Sequence, residues 1–294
     1  MDKIYIVGGG ASGMMAAIQA KTKDNEIILL EKNDRVGKKI LATGNGKCNL
    51  GNENLSVDCY YSKNSSFVEQ VLKRYDTESA VSFFASIGLK VRSKNGYLYP
   101  YAEQASVVLD VLRMELERRS IQVKPGVQIT DCTPLINKRG YLLKTPDGRS
   151  YEADRVILAC GGPASLKEGG KDGYNILQKL GLKTYPLVPG LVQLRTDGKE
   201  QKALSGVRCK ESLRLFADGI QQGSEQGELQ LTDYGISGIP VFQLSRVAAY
   251  ALRNRKSVMV QIDFTPEYSY DEIVTYLLEQ QNLRKDQTVD ELLT

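Results

Sequence analysis

Residues 3–31 carry the reading that decides the fold: Lys3-Ile4-Tyr5-Ile6-Val7, then Gly8-Gly9-Gly10-Ala11-Ser12-Gly13, then Met14-Met15-Ala16-Ala17-Ile18-Gln19-Ala20, then Glu26-Ile27-Ile28-Leu29-Leu30-Glu31. The first run is short, apolar and β-branched, and it ends in glycine, so it reads as a buried strand. The glycine segment fits G-x-G-x-x-G, and the next run is built of helix formers. A second buried strand delivers Glu31 at its carboxyl end. Strand, fingerprint, helix, strand and acid in this order predict a Rossmann-like βαβ unit for a dinucleotide.

Each part has a physical task. Gly8 allows the tight turn out of the strand, Gly10 lets backbone approach a pyrophosphate, and Gly13 lets the helix pack close to the sheet. Ala11 and Ser12 open a helix whose free N–H groups and positive dipole end suit phosphates. Glu31 follows Gly13 at close to the roughly twenty-residue spacing of a ribose-binding acid. An acid here also argues against a 2′-phosphate, which favours arginine.

Composition narrows the chemistry. The 294 residues suffice for one large domain or two, and a net charge of +4 gives little reason to expect nucleic acid or a membrane surface as partner. No apolar run approaches the ~18 residues of a membrane span, and no secretory leader is visible at the N-terminus. The five cysteines (Cys48, Cys59, Cys132, Cys160, Cys209) include no C-x-x-C pair. Reduced thiols in a cytoplasm are therefore expected, with no metal site. The chain has no histidine, which excludes Ser-His-Asp and Cys-His catalysis. If the chain is an enzyme, a cofactor carries the chemistry.

After Glu31 and Lys32 comes a long polar connection with Lys38, Lys39 and Lys47 and several small residues. On composition it is either a solvated loop or an anion cradle. Its core, Gly37-Lys38-Lys39-Ile40-Leu41-Ala42-Thr43-Gly44-Asn45-Gly46-Lys47-Cys48-Asn49, resembles the second signature of a family of bacterial flavoproteins. These are single-FAD, NAD(P)/FAD-dependent oxidoreductases that include aminoacetone oxidase-like enzymes and a bile-acid reductase branch. The resemblance implies that Lys32, Lys38, Lys39, Thr43, Gly44, Asn45, Gly46, Cys48 and Asn49 lie along the FAD, over its pyrophosphate and toward the flavin ring. It implies that the backbone of Val127 lies beside the adenine. Cys48 reads either as a modulator of the flavin or as a small packing residue.

The remaining chain reads as follows. Residues 67–88 show helical spacing with Gly88 as the stop. Residues 89–91 and 96–99 form a hairpin about Asn95-Gly96. Tyr97, Tyr99, Pro100 and Tyr101 are either a packed hairpin or a pocket wall. Residues 104–119 form an amphipathic helix, and 121–123 a strand. Strands at 127–131 and 141–145 follow, with a turn at Pro146-Asp147-Gly148. Residues 155–162 are a strand ending in Gly161-Gly162, which with Cys160 returns the chain beside the FAD. No second βαβ fingerprint for NAD(P)H is found. A helix runs over 172–180. Beyond a proline-bounded hinge at 186–192 come strands at 206–216 and 227–231 about Asp218-Gly219.

Thr232-Asp233-Tyr234-Gly235-Ile236-Ser237-Gly238-Ile239-Pro240 resembles a third signature of the same family, and opens a helix at 241–253. Asp233 and Ser237 are either substrate contacts or ordinary helix entry. A strand at 258–264, a helix at 270–281 and a further helical start at 292–294 complete the reading. The resemblance also implies a further segment that returns to the FAD domain; this sequence stops before it.

The expected fold is α/β. Residues 1–188 form the FAD-binding domain, 189–266 an inserted mostly-β domain, and 267–294 the start of a helical subdomain. The resemblance implies hydride transfer between flavin and a small organic substrate, with NAD(P)H as a transient donor and no assigned catalytic acid or base. A non-catalytic flavin-binding module and an FAD-dependent RNA-modifying enzyme are the competing readings.

Overall fold

The computed structural model describes residues 1–164, 172–197 and 202–288. The chain divides into two compact units, Met1–Thr184 and Tyr185–Thr294.

The first unit is built on a parallel sheet. Its elements are β1 (Asp2–Val7), α1 (Ala11–Ala20), β2 (Asn25–Glu31), β3 (Gly51–Asn52), α2 (Ser65–Arg74), α3 (Thr77–Ser86), β4 (Val91–Lys94), β5 (Tyr97–Pro100), α4 (Ala105–Arg118), β6 (Gln122–Pro125), β7 (Asp131–Pro134), β8 (Tyr141–Lys144), β9 (Ser150–Ala153), β10 (Arg155–Leu158) and α5 (Asp172–Lys179). The parallel sheet has the order β10-β1-β2-β6. Ile4 pairs with Arg155 on one side of β1 and with Ile27 on the other. Alternation along the strands sends side chains to two different covers. Ile4, Ile6, Ile27 and Leu29 pack under α1 and α4 with Met14, Ile18, Val108 and Leu112. Tyr5, Val7, Ile28 and Leu30 pack with Val127, Ile129, Leu143 and Ala153, on the side of the β7-β8-β9 meander. Both faces of the sheet are thus closed, which is why its strands read as unbroken apolar runs.

Two expectations need correction here. The helical stretch 67–88 is two helices, α2 and α3, broken at Tyr75 and Asp76. The Asp76 carboxylate accepts from the Ser79 amide at 2.8 Å and starts a new helix as its N-cap. The strand expected at 127–131 begins only at Asp131 and pairs with β8, while β9 was not foreseen. Val127 instead ends its run on the Glu31 carbonyl, to which its amide donates at 2.8 Å. The hairpin about Asn95-Gly96 is present, with Lys94 opposite Tyr97 and both turn residues at positive φ.

The second unit contains β11 (Leu194–Arg195), β12 (Arg208–Ala217), β13 (Ile220–Thr232), β14 (Gly235–Ser237), α6 (Ile239–Arg253), β15 (Val258–Asp263) and α7 (Tyr270–Leu283). Its antiparallel sheet, β11-β14-β13-β12-β15, packs Leu213, Leu215, Leu229 and Leu231 against Val241, Leu244 and Ala248 of α6. The third signature is therefore more than a helix entry: residues 235–237 form β14, opposite β13, before α6 begins. Ser237 is buried within that strand. The Ser269 hydroxyl and Glu272 form a reciprocal capping box that starts α7. Residues 292–294, where a further helix was expected, lie outside the described residues. The chain is mixed α/β, a parallel Rossmann-like sheet followed by a mostly-β unit with helices. No helix among the described residues is long and apolar enough to cross a membrane.

Candidate functional site

A cleft of about 430 Å³ opens at the carboxyl ends of β1, β2, β6 and β10, where open α/β sheets bind ligands. Its size is that of a small-molecule site. Of the residues expected to hold the cofactor, Gly8, Gly10, Ala11, Ser12, Glu31, Lys32, Lys38, Lys39, Thr43, Val127, Cys160 and Gly161 line it.

The glycine turn explains its own composition. A Cβ on Gly8 would sit 2.4 Å from the Ala159 carbonyl oxygen, and one on Gly13 only 1.8 Å from the Gly8 carbonyl oxygen. Gly13 therefore lies beneath the turn and sets how closely α1 packs. Gly10 differs: nothing lies within 4 Å of its absent Cβ. That open space adjoins the α1 N-terminus, which has no side-chain cap and no acidic residue in its first turn. The helix dipole and the first amides are left for an anion.

Glu31 is buried, and its carboxylate is held at both oxygens. The Gly9 amide donates to Oε2 at 2.6 Å, and the Asn33 amide and side chain donate to Oε1 at 2.8 and 2.5 Å. A carboxylate has about four acceptor positions, so room for one further donor remains, as a ribose hydroxyl requires. Gly9 and Asn33 are site residues that the fingerprint alone did not single out. A Cβ on Gly9 would meet Val36 Cγ1 at 2.5 Å.

The second signature is a loop anchored on buried residues, with residues 42–46 exposed between them. Val36 and Ile40 are buried, and the Gly37 amide donates to the Gly9 carbonyl at 2.8 Å. Residues Ile40–Gly46 hold short 3-10 turns on either side of a kink at Thr43, Gly44 and Asn45, and the Thr43 hydroxyl donates to the Ile40 carbonyl at 2.7 Å. Gly44, Asn45, Gly46, Cys48 and Asn49 lie farther along and do not line the cleft. Cys48 is buried, with its thiol pushed up by burial, and its amide donates to the Thr43 carbonyl. The three lysines have different fates. Lys39 donates to the Gly162 carbonyl at 3.0 Å, which places Gly162 at the rim. Lys38 pairs with Asp34 at 2.5 Å and holds that carboxyl below the usual range. Lys47 is drawn to Glu103, which Arg92 also binds, so it is not a cleft cation.

The cleft has a further polar group that the sequence did not reveal. The Gln128 side chain donates to the Asp172 carboxylate at 3.0 Å, and Lys32 lies 3.7 Å from the same oxygen. Cys160 stands beside them, its thiol raised by burial and then by the Asp172 charge. Tyr97 and Tyr101 do not line the cleft; both are exposed on the hairpin.

The profile described as the HI0933-like protein Rossmann domain matches residues 2–235, and that of the HI0933-like protein barrel and H2TH domain matches residues 188–294. A 3-dehydro-bile acid delta(4,6)-reductase of Clostridium scindens is 41% identical over 93% of this chain and 67% of its own length. Ribosomal RNA dihydrouridine synthases of Haemophilus influenzae and Escherichia coli are 26% and 24% identical, over 91% and 98% of this chain and 65% and 69% of theirs. The chain thus spans about two thirds of the length of these relatives. Among solved structures, the open conformation of a flavocytochrome c3 fumarate reductase aligns with a TM-score of 0.45 at 15% identity, covering 71% of this chain and 46% of that one. With Rossmann and barrel profiles matched in sequence order, the chain belongs to the HI0933-like family of FAD-binding oxidoreductases.

Proposed function

We propose that this chain binds FAD in the cleft of its first unit and serves a reductase that transfers hydride from flavin to a carbon–carbon double bond of a small organic substrate. NAD(P)H is the proposed transient donor. The observation that carries the FAD assignment is the unfilled space at Gly10 beside an uncapped helix N-terminus, together with the buried acid at the end of β2. Here the Ala11 and Ser12 amides and Lys39 hold the pyrophosphate, Glu31 holds the ribose, and the loop after Gly37 continues along the cofactor. FAD, when bound, supplies two-electron hydride chemistry that no amino-acid side chain provides. The chain's own part is to bind, orient and shield.

The substrate class rests on the relatives. The names of the bile-acid reductase and of the dihydrouridine synthases both denote reduction of a carbon–carbon double bond. Higher identity to the first favours a 3-dehydro-bile acid type of substrate. The second reading, a uridine in ribosomal RNA, is favoured by two relatives of lower identity.

The test is spectroscopic. The purified chain should show a flavin absorption spectrum after FAD is added and excess is removed. Anaerobic NADH or NADPH should then bleach it, and a 3-dehydro-bile acid with a conjugated double bond should restore it. Failure to retain FAD overturns the binding assignment for this chain. Reoxidation by uridine-containing ribosomal RNA and not by the steroid would select the second reading.

A further inference from the structure

The β4–β5 hairpin turns one face outward, and the side chains on that face are in register. The Tyr101 amide donates to the Lys90 carbonyl, Arg92 stands opposite Tyr99, and Lys94 stands opposite Tyr97. The alternate residues Leu98 and Pro100 are buried on the other face. The outward face is therefore three rungs, each a cation beside a tyrosine, about 7 Å apart at two strand residues per rung. Lys90 and Arg92 lie 4.9 and 5.3 Å from the centre of the Tyr101 ring. Tyr97 and Tyr101 are 48% and 56% exposed. Arg92 shares Glu103 with Lys47, whereas Lys90 and Lys94 form no ion pair among the described residues. Lysines on an edge strand such as β4 deter pairing with another sheet, but that task does not call for a tyrosine opposite each cation.

We propose that this face docks single-stranded RNA, with bases stacked on the tyrosines and phosphates met by Lys90, Arg92 and Lys94. Exposed aromatic rings on a sheet, with cations beside them, hold unpaired strands because every base has a face to stack. The rung spacing is that of successive nucleotides in an extended strand. A duplex hides its base faces, and RNA is the nucleic acid that presents unpaired bases in loops and bulges. A net charge of +4 over 294 residues does not reveal such a face, because the charge that matters is local. The inference needs neither the cofactor nor a choice of substrate for the cleft, so it stands or falls apart from the reading above.

The experiment titrates a short fluorescein-labelled single-stranded RNA of mixed sequence with the full chain and follows anisotropy at several salt concentrations. We expect saturable binding that neither the matching duplex nor the matching DNA strand equals. Lys90→Gln combined with Lys94→Gln should reduce the slope of log affinity against log salt by about 1.4, two phosphate contacts at about 0.7 each. Tyr97→Ala should weaken binding about tenfold, the scale of one stacked base, and leave that slope unchanged. Lys210→Gln combined with Lys256→Gln, two exposed lysines of the second unit, should change neither. All these side chains are exposed, and melting curves check the fold. A wild type that does not bind the RNA, or binds duplex or DNA equally well, overturns the proposal. So do folded hairpin variants that behave like the second-unit pair. Displacement of the RNA by polyglutamate as effective as by unlabelled RNA also overturns it, in favour of an acidic protein partner.

Discussion

Two glycine-rich segments border the cleft, and they use glycine for different reasons. In the turn at residues 8–13, a Cβ on Gly8 or Gly13 would strike backbone at 2.4 and 1.8 Å. In the loop at residues 37–49, a Cβ on Gly37 would strike only the end of the Leu109 side chain, at 2.2 Å, and Gly46 has nothing within 4 Å. Gly37, Gly44 and Gly46 instead have φ of 76°, 55° and 81°, where side chains are strained. Two glycines meet both limits: a Cβ on Gly44 would also strike the Asn49 backbone nitrogen at 2.6 Å, and Gly8 has a φ of 109°. Contact dominates in the turn and conformation in the loop. Backbone cannot move aside without moving the sheet, whereas a leucine methyl can.

Substitutions can break this contrast. Gly13→Ala should have the largest effect: a destabilisation of about 3 kcal/mol in urea denaturation, the upper range for overpacking, with loss of retained FAD. An unchanged midpoint would show that the turn yields. Gly37→Ala should cost about 2 kcal/mol, mostly from its left-handed conformation. Replacing Leu109 by a smaller residue as well should recover little of that conformational part. Gly10→Ala should leave stability within about 0.5 kcal/mol, as for an uncrowded position, yet weaken FAD binding about tenfold in a fluorescence titration, since a methyl there occupies the phosphate approach. Equal losses in stability and affinity would remove the distinction between Gly10 and its neighbours.

The smallest effect concerns what backs both segments. Glu115 of α4 is buried against Arg118 and Arg119, which hold its carboxyl down to about 2, and Arg119 also donates to the Ile18 carbonyl of α1 at 2.9 Å. Because the folded value is depressed, this contribution is fully present above about 4.5 and is lost as pH falls through about 2. Glu115→Gln should flatten that part of the acid unfolding profile, affecting turn and loop alike.

The turn was legible from spacing because its demands are local: three glycines, a helix and an acid stand in one continuous stretch. Helix α4 was legible for a similar reason, since its apolar face repeats within one element. The break at Asp76 was harder to see, because apolar periodicity continues across it and only the Asp76–Ser79 cap marks the restart. The Gln128–Asp172 contact joins residues far apart in the sequence, and neither has a local pattern to betray it. Lys47 misled for the same reason: its partner Glu103 lies in another segment.

The placement of β10 has a consequence for how the chain comes into being. β1 lies between β2, made at once, and β10, which pairs Val7 with Leu158. During synthesis the first strand must wait, with one edge unsatisfied, until most of the first unit has left the ribosome. Such high contact order slows folding and leaves an adhesive edge exposed meanwhile. Residues 159–161 and Asp172, which line one wall of the cleft, are also the last to arrive. Competence to take up a nucleotide should therefore appear late and abruptly in a series of lengthening nascent chains.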